Sequence, residues 1–209
     1  MLRDPPRERQ RNAPIRSSPA YTGPMPADPQ SLHIRTYPDP VLRRKAPPLE
    51  SVSDEVRAVA ARMIELMFEA EGVGLAAPQV GLEWRLFVAH VPQNEDNSTL
   101  DDPPSATPEP QVYINPVLGP LEGDLAPSEE GCLSLPEIRG EVRRPPVATI
   151  TALGLDGERF TATASGLLAR CWQHEVDHLD GILIIDKMTQ ISRLRVRSAV
   201  KGLEKQARI

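Results

Sequence analysis

The stretch QHEVDHLDG, residues 173–181, holds the side chains best suited to chemistry. His174 and His178 are four residues apart, and Glu175 directly follows the first histidine. On an α-helix, residues i and i+4 lie on one face, so the two imidazoles can bind one metal ion. A carboxylate beside that ion can take a proton from metal-bound water, whose pKa the ion lowers. The spacing therefore predicts a helix that carries a metal site for amide hydrolysis.

A hydrolytic site of this kind needs a third protein ligand and an open coordination position. The longer zinc-protease pattern HExxHxxGxxH finds its glycine at Gly181, but its last position is Ile184, which cannot bind a metal. Glu204 is the only glutamate after the motif and lies near the end of the chain. Cys132 is the favoured ligand, because we interpret its segment EEGCLSLPE as a loop between strands that can present a thiolate to the helix.

Cys171 is the alternative sulfur ligand, three residues before His174. It would come from the same helix as both histidines, and three ligands from one helix rarely complete a tetrahedron. We therefore interpret Cys171 as a buried helix residue. With only two cysteines in 209 residues, the chain does not indicate a disulfide scaffold.

The overall composition limits the classes of protein that the chain can belong to. A length of 209 residues fits one ordinary domain with a real core. The net charge of −5 argues against nucleic-acid binding over the whole surface. The sequence shows neither an apolar run of transmembrane length nor the apolar region of a secretory signal. We therefore expect a soluble, cytoplasmic protein with no membrane partner, and an organelle location is the less favoured alternative.

The rest of the chain predicts an α+β fold, in which antiparallel β-sheets surround the central helix of the HExxH motif. Apolar residues recur at helical spacing in three segments, 53–71, 166–178 and 190–207. Strand-like patterns occur at 85–91, 112–118, 147–155 and 159–165. Asp156-Gly157, between the last two strands, is typical of a type I′ hairpin turn.

The chain ends and one internal segment differ in composition from this predicted core. Residues 1–30 are rich in Pro and Arg and predict a disordered tail. Residues 92–110 are acidic and Pro-rich and predict a surface loop inserted into a catalytic domain of 31–188. Residues 189–209 predict a basic helix. From Lys187 onward, seven basic residues stand against one acidic residue.

Three segments stand in order along the chain: GVGLAAPQVG at 72–81, EGCLSLPE at 130–137 and QHEVDHLDG at 173–181. Together, and without gaps, they resemble the signature motifs of the peptide deformylase family. The resemblance spans about residues 34–188. It implies a metal-dependent hydrolase that removes the formyl group from the formyl-methionine of new polypeptides and releases formate.

The resemblance also implies a role for each matching residue. Metal-bound water would attack the formyl carbonyl, with Glu175 as general acid and base. The side chain of Gln79 and the backbone N–H of Leu133 would stabilise the oxyanion. The implied metal ligands are Cys132, His174 and His178, and the implied substrate-binding residues are Val73, Gly74, Leu75 and Leu167. Val73, Gly74 and Leu75 would hold the substrate by main-chain hydrogen bonds, and Leu167 would line a methionine pocket with part of Cys171. Arg170 departs from the aliphatic residue that relatives can have there, and it either points to solvent or rims the pocket.

The cofactor and partners follow from the same resemblance. We expect one divalent ion, with Fe(II) favoured and Zn, Ni or Co as alternatives. The substrates would be N-formyl-methionyl nascent peptides, and the basic C-terminal helix would dock the enzyme on the ribosome. Two other functions stay open: an inactive ribosome-associated homologue that only binds nascent chains, and an amidase with a different acyl specificity.

Overall fold

The computed structural model describes residues 28–207, so nearly all of the predicted 1–30 tail and the last two residues lie outside the described part. The described part contains four α-helices: α1 (Asp54–Glu69), α2 (Gly166–Leu179), α3 (Ile184–Lys187) and α4 (Gln190–Gln206). Seven strands accompany them: β1 (Gly74–Ala76), β2 (Leu86–Ala89), β3 (Gln111–Glu122), β4 (Ala126–Cys132), β5 (Leu135–Arg144), β6 (Val147–Leu153) and β7 (Arg159–Ser165). Short 3₁₀ helices occupy Pro29–Ser31, Pro40–Arg43 and Ala77–Val80.

The strands form two separate antiparallel sheets. The larger has the order β1-β2-β3-β6-β7, and the smaller is the hairpin β4-β5. Within the described residues, β1 pairs only with β2, so its other edge is open. The predicted α+β class with antiparallel sheets is confirmed.

Helices α1 and α2 pack on opposite faces of the five-stranded sheet. In β2, Leu86 and Val88 belong to a buried cluster with α1, whereas Phe87 and Ala89 belong to a buried cluster with α2. This alternation follows from the period of two in a strand. Both faces of β2 are buried, and this explains why its residues are all apolar instead of alternating with polar ones.

Helix α2 starts directly after β7, at Gly166. The φ of Gly166 is +55°, a left-handed value that favours glycine at this sharp strand-to-helix turn. Trp172 and Val176 then pack into the same cluster as Phe87 of the sheet. The sheet therefore fixes both the start of α2 and its rotation about its own axis.

The hairpin β4-β5 forms a third cluster with α3 and α4. Ile138 and Val142 of the hairpin pack with Met188, and apolar residues of α4 cover them from outside. The Ser192 hydroxyl of α4 accepts from the backbone N–H of Glu141 at 3.0 Å. One side of α4 is thereby anchored to the hairpin.

Two local predictions were wrong. EEGCLSLPE is not a loop, because Cys132 ends β4 and Leu135 begins β5, and the two pair across a two-residue turn. The turn between β6 and β7 is not type I′, because Gly157 has a φ of +84° while Asp156 does not have a positive φ. Gly157 N–H donates to the carbonyl of Gly154 at 3.1 Å. This is the three-residue hairpin geometry, a turn followed by a left-handed glycine.

Residues 92–110 contain neither helix nor strand, as their composition predicts. Residues 92–96 are exposed, but Ser105, Ala106 and Thr107 are buried. Thr107 N–H donates to the carbonyl of Val91 at 2.8 Å, and Ser165, next to the start of α2, donates to Pro103 O at 2.7 Å. The end of the segment is therefore tied to β2 and to the start of α2.

No helix in residues 28–207 is long and apolar enough to cross a membrane.

Candidate metal centre

Cys132, His174 and His178 bring their ligand atoms together at the junction of the hairpin and α2. The three atoms lie within 4.8 Å of one another. Cys132 Sγ is 3.2 Å from His178 Nε2, and the two Nε2 atoms of the histidines are 3.2 Å apart. Among the described residues, this is the group of His, Cys, Asp and Glu side chains that could hold a metal ion.

The cluster fits a tetrahedral divalent ion. Ligand atoms about 2.0–2.3 Å from such an ion lie roughly 3.3–3.8 Å from one another. The observed separations of 3.2 Å are close to this value. Burial lowers the pKa of His178, which favours the neutral imidazole that a metal ligand requires. Burial also acts to lower the pKa of His174, but its contacts with Cys132 and Glu130 outweigh burial and raise that pKa, so a metal ion there would have to displace a proton. One thiolate and two imidazoles suit Zn, Fe(II), Ni or Co.

Glu175 lies on α2 beside this cluster and is almost fully buried. Its Oε2 atom is buried without a hydrogen-bond partner among the described residues. Burial raises the pKa of Glu175 to about 7. The carboxyl group can therefore take up and release a proton near neutral pH, as a general base and acid must.

Glu130, on β4, fixes the orientation of His174. Its Oε2 lies 3.1 Å from His174 Nδ1, and Arg144 donates to its two oxygens at 2.8 and 3.0 Å. Burial by itself raises the pKa of Glu130, but the hydrogen bonds from His174 and Arg144 outweigh it and leave that pKa below its usual range. An ionised Glu130 accepts the Nδ1 proton and leaves Nε2 of His174 free to bind a metal.

Gln79 and Leu133 lie on the cysteine side of the cluster. Gln79 is buried, its Oε1 accepts from Ala76 N–H at 2.8 Å, and its Nε2 donates to Cys132 Sγ at 3.6 Å and Ser134 Oγ at 3.3 Å. The amide orientation is thus fixed, with its donor group toward the cluster. Leu133 lies in the two-residue turn of the hairpin. It is not paired between β4 and β5, so its backbone N–H takes no part in the strand pairing.

The open edge of β1 presents the main chain of Gly74. Antiparallel pairing alternates between residues whose peptide groups face the partner strand and residues whose groups face away. Val73 O accepts from His90 N–H at 2.9 Å, so Val73 and Leu75 face β2 and Gly74 faces the open edge. Of the three residues expected to bind a substrate main chain, Gly74 therefore has the outward peptide groups.

A cleft of about 590 Å³ lies in front of the cluster. Its lining includes Gly72, Val73, Gly74, Gln79, Cys132, Leu133, Leu167, Arg170, Cys171, His174 and Glu175. Leu167 is 37% exposed there, so its apolar side chain is available to a ligand. Arg170 lines the cleft rather than pointing into open solvent.

Other candidate residues lie outside the three-ligand cluster. Cys171 is buried, and its thiol donates to Val73 O at 3.4 Å; burial raises the pKa of this thiol. Glu204 accepts from the Tyr37 hydroxyl at 2.8 Å. His90 contacts Thr107 through Nδ1 at 3.0 Å.

Three further side chains also have structural partners. His33 contacts Ser31 O through Nδ1 at 3.1 Å. Asp177 accepts from Arg144 at 2.7 Å, and Asp180 accepts from Arg85 at 3.0 Å.

Sequence reasoning did not find Glu130 or Arg144. In a strand, residues i and i+2 point to the same face, so Glu130 and Cys132 must share a face if both lie in β4. Because we interpreted EEGCLSLPE as a loop, we did not place Glu130 on the same face as Cys132. Arg144 is twelve residues from Cys132 and reaches the site only because β5 folds back on β4.

Comparisons with known proteins agree with this fold. A sequence model described as polypeptide deformylase matches residues 31–194. The peptide deformylase of Pseudomonas aeruginosa is 45% identical over 177 residues, which cover 85% of this chain and 96% of the relative. That of Acinetobacter baumannii is 43% identical over 175 residues, which cover 84% of this chain and 93% of the relative.

Solved structures give the same result. A crystal structure of peptide deformylase from Ehrlichia chaffeensis superposes with a TM-score of 0.75 at 32% identity, and the match covers 85% of this chain and 97% of that one. The fold and the sequence together define a hydrolase. The chain belongs to the polypeptide deformylase family and is an enzyme of that family.

Proposed function

We propose that this enzyme removes the formyl group from N-formyl-methionyl peptides as they are synthesised. The observation that carries the proposal is the convergence of Cys132, His174 and His178 beside a buried carboxyl group with a raised pKa. A divalent metal ion, with Fe(II) favoured, would be held by these three residues and would supply Lewis acidity and a lowered pKa for water.

Glu175 moves the proton in this reaction. Its carboxylate takes a proton from the attacking water as oxygen adds to the formyl carbon. It then delivers that proton to the peptide nitrogen as the carbon–nitrogen bond breaks. The products are formate and a peptide with a free amino group.

Two donors support the developing negative charge on the carbonyl oxygen. Gln79 Nε2 and the N–H of Leu133 are held on the cysteine side of the cluster, and fixed donors lower such a barrier because they need no reorganisation. Ala76 N–H and Ser134 Oγ fix the Gln79 amide in this orientation.

The cleft holds the peptide by main-chain contacts on one side and by an apolar contact on the other. Gly74 presents its peptide groups at the open edge of β1, so a substrate in extended conformation can add as a further strand. The methionine side chain would contact Leu167 and part of Cys171, which both line the cleft. Main-chain recognition explains how one enzyme can accept many nascent sequences.

We further propose that residues 31–188 form the catalytic unit and that the basic helix α4 binds ribosomal RNA. This places the enzyme in the bacterial cytoplasm, where nascent formylated chains appear. Five basic residues of α4 are exposed in the structure: Arg193, Arg195, Arg197, Lys201 and Lys205.

The decisive experiment measures formate release from formyl-Met-Ala-Ser by Fe(II)-loaded enzyme prepared without oxygen. We expect turnover by the wild type and a fall in kcat of about 10²–10⁴-fold in Glu175→Gln, because its proton carrier is lost. Metal content should stay the same in that variant. Glu158→Gln, on the exposed β6-β7 turn, is the matched control and should keep full activity.

Two results would contradict the proposal. No formate release by the metal-loaded wild type would favour an inactive binding protein. Faster cleavage of acetyl-Met-Ala-Ser than of the formyl peptide would favour an amidase with a different acyl specificity.

A further inference from the structure

Arg170 connects α2 to both strands of the β4-β5 hairpin. Its Nη1 donates to Glu130 Oε1 at 2.7 Å and to Val142 O at 3.2 Å, and its Nη2 donates to Ala126 O at 2.9 Å. The side chain is only 12% exposed. One guanidinium thus contacts a carboxylate and a backbone carbonyl from each strand of the hairpin.

These contacts lie at the junction across which the proposed metal site is built. Cys132 belongs to the hairpin, whereas His174 and His178 belong to α2. The distances between the thiol and the imidazoles therefore depend on how the hairpin sits against α2. The other polar contacts across this junction include Arg144 with Asp177 at 2.7 Å and Glu130 with His174 at 3.1 Å.

Arg170 and Arg144 hold Glu130 from opposite sides of the junction. Arg144 belongs to the hairpin and reaches Asp177 on α2 at 2.7 Å. Arg170 belongs to α2 and reaches the hairpin. Both donate to Glu130 Oε1, and Glu130 contacts His174 through its other oxygen.

We propose that Arg170 is a positioning residue of the metal site, which holds the β4-β5 hairpin against α2 and fixes Glu130 in the orientation that aligns His174. The inference rests on the proposed metal-dependent function. It concerns the residues around the ligands and assigns Arg170 no contact with the reacting atoms.

The geometry explains why this position has an arginine. A guanidinium is planar and presents several donors in fixed directions, so one side chain can contact three acceptors on two strands. A lysine ammonium has the same charge but no such planar array. Lysine can therefore retain the ionic contact with Glu130 while losing one or both backbone contacts.

The test measures the affinity of the metal-free protein for Co(II), by competition with a chelator, and the absorption spectrum of the Co(II) form. Loss of residues that orient metal ligands lowers affinity by about 10–100-fold. We expect Arg170→Met to weaken Co(II) binding by about tenfold and to alter the thiolate-to-cobalt absorption band. Arg170→Lys should recover part of the affinity.

Arg143→Met is the matched control. Arg143 is an arginine of β5 whose side chain is 60% exposed and lies 3.7 Å from Glu141. It should leave Co(II) affinity and spectrum unchanged. Urea unfolding of each metal-free variant shows whether it is folded. If Arg170→Met does not fold, the test is the Co(II) affinity and spectrum of Arg170→Lys by comparison with the wild type.

A double-mutant cycle tests whether Arg170 acts through Glu130. If it does, Arg170→Met should change Co(II) affinity much less in a Glu130→Gln background than in the wild type. If Arg170→Met changes Co(II) affinity equally in the two backgrounds, Arg170 does not act through Glu130.

The outcomes separate this inference from the proposed function. A wild type that does not bind Co(II) with a thiolate band would refute the metal site itself. A wild type that binds, with both Arg170 variants binding equally tightly and with the same spectrum, would refute only the positioning role.

Discussion

At the scale of single residues, Gly74 packs closely against Glu175. A Cβ atom added at Gly74 would overlap with Glu175 Oε1 and would lie 2.8 Å from Cys171 Sγ. Real Cβ atoms do not come that close to other atoms, so one of these side chains would have to move. The overlap is closest with Glu175 Oε1, and Glu175 Oε2 has no hydrogen-bond partner among the described residues, so the larger movement falls on Glu175.

We therefore expect Gly74→Ala to lower kcat/KM by about 100-fold, as a displacement near 1 Å of a reacting group can do. The three metal ligands are not displaced, so metal content should stay the same. The measurement is formate release together with metal analysis. Gly202→Ala is the control, because an added Cβ meets nothing within 4 Å there. Full activity in Gly74→Ala would show that the carboxylate needs no such close packing.

At the scale of elements, buried ion pairs join the hairpin to α2. The side chains of Arg144 and Glu130 are both only 5% exposed, and Asp177 is 15% exposed. Taking two charges out of water is costly, so such a pair adds little net stability by comparison with apolar residues. Removing Arg144 is different, because Glu130 stays buried and loses two of its hydrogen bonds, with Arg170 and His174 as its remaining partners.

Arg144→Met should lower the free energy of unfolding of the metal-free protein by about 1.5–3 kcal/mol, because buried hydrogen bonds to charged groups are lost while Arg170 still contacts Glu130. Adding Glu130→Gln should recover part of that loss, because it removes a buried carboxylate that has lost two of its hydrogen bonds. Chemical denaturation at pH 7 gives both values. Arg143→Met, in an exposed pair, should change the free energy by less than about 1 kcal/mol. Equal effects of Arg143→Met and Arg144→Met would mean that burial of the pair is unimportant.

At the scale of the whole molecule, charge is unevenly distributed. The chain has a net charge of −5, although its C-terminal segment is strongly basic. One side of α4 packs on the hairpin, while its arginines and lysines are exposed. An acidic body with one basic helix would be repelled by RNA in most orientations, so binding through α4 would also orient the enzyme.

We expect the triple variant Arg193→Gln, Arg197→Gln and Lys201→Gln to bind bacterial ribosomes more weakly than the wild type at low salt. Each lost phosphate contact should also reduce the salt dependence of binding, by roughly 0.7–0.9 in the slope of log K against log salt. Co-sedimentation at several salt concentrations measures both effects. Turnover of formyl-Met-Ala-Ser should be unchanged.

The matched control replaces two exposed arginines elsewhere, Arg143→Gln and Arg159→Gln. It should bind ribosomes like the wild type. Binding that does not depend on salt, or equal losses in the two sets of variants, would argue against docking through α4.

Much of the fold followed from local patterns. Helix α1 has its buried residues at helical spacing, and Ser53 accepts from Val56 N–H at its start, where sequence placed the boundary. Strands β3, β6 and β7 also lie where alternation predicts them. The hairpin turn at Asp156-Gly157 was assigned the wrong type because the dipeptide alone does not fix the φ of its first residue.

The sequence by itself determined the spacing of His174, Glu175 and His178, because four residues make one helical turn. It also predicted Cys132 as the third ligand, because a thiolate is one of the groups that bind such ions, and its ligand atom lies within 4.8 Å of those of both histidines. Only the tertiary structure decided what surrounds them. The hairpin folds back on itself and packs on a distant helix, and this brings together Glu130, Arg144 and Arg170. Such contacts join residues far apart in the sequence, so the periodicity of apolar residues does not predict them.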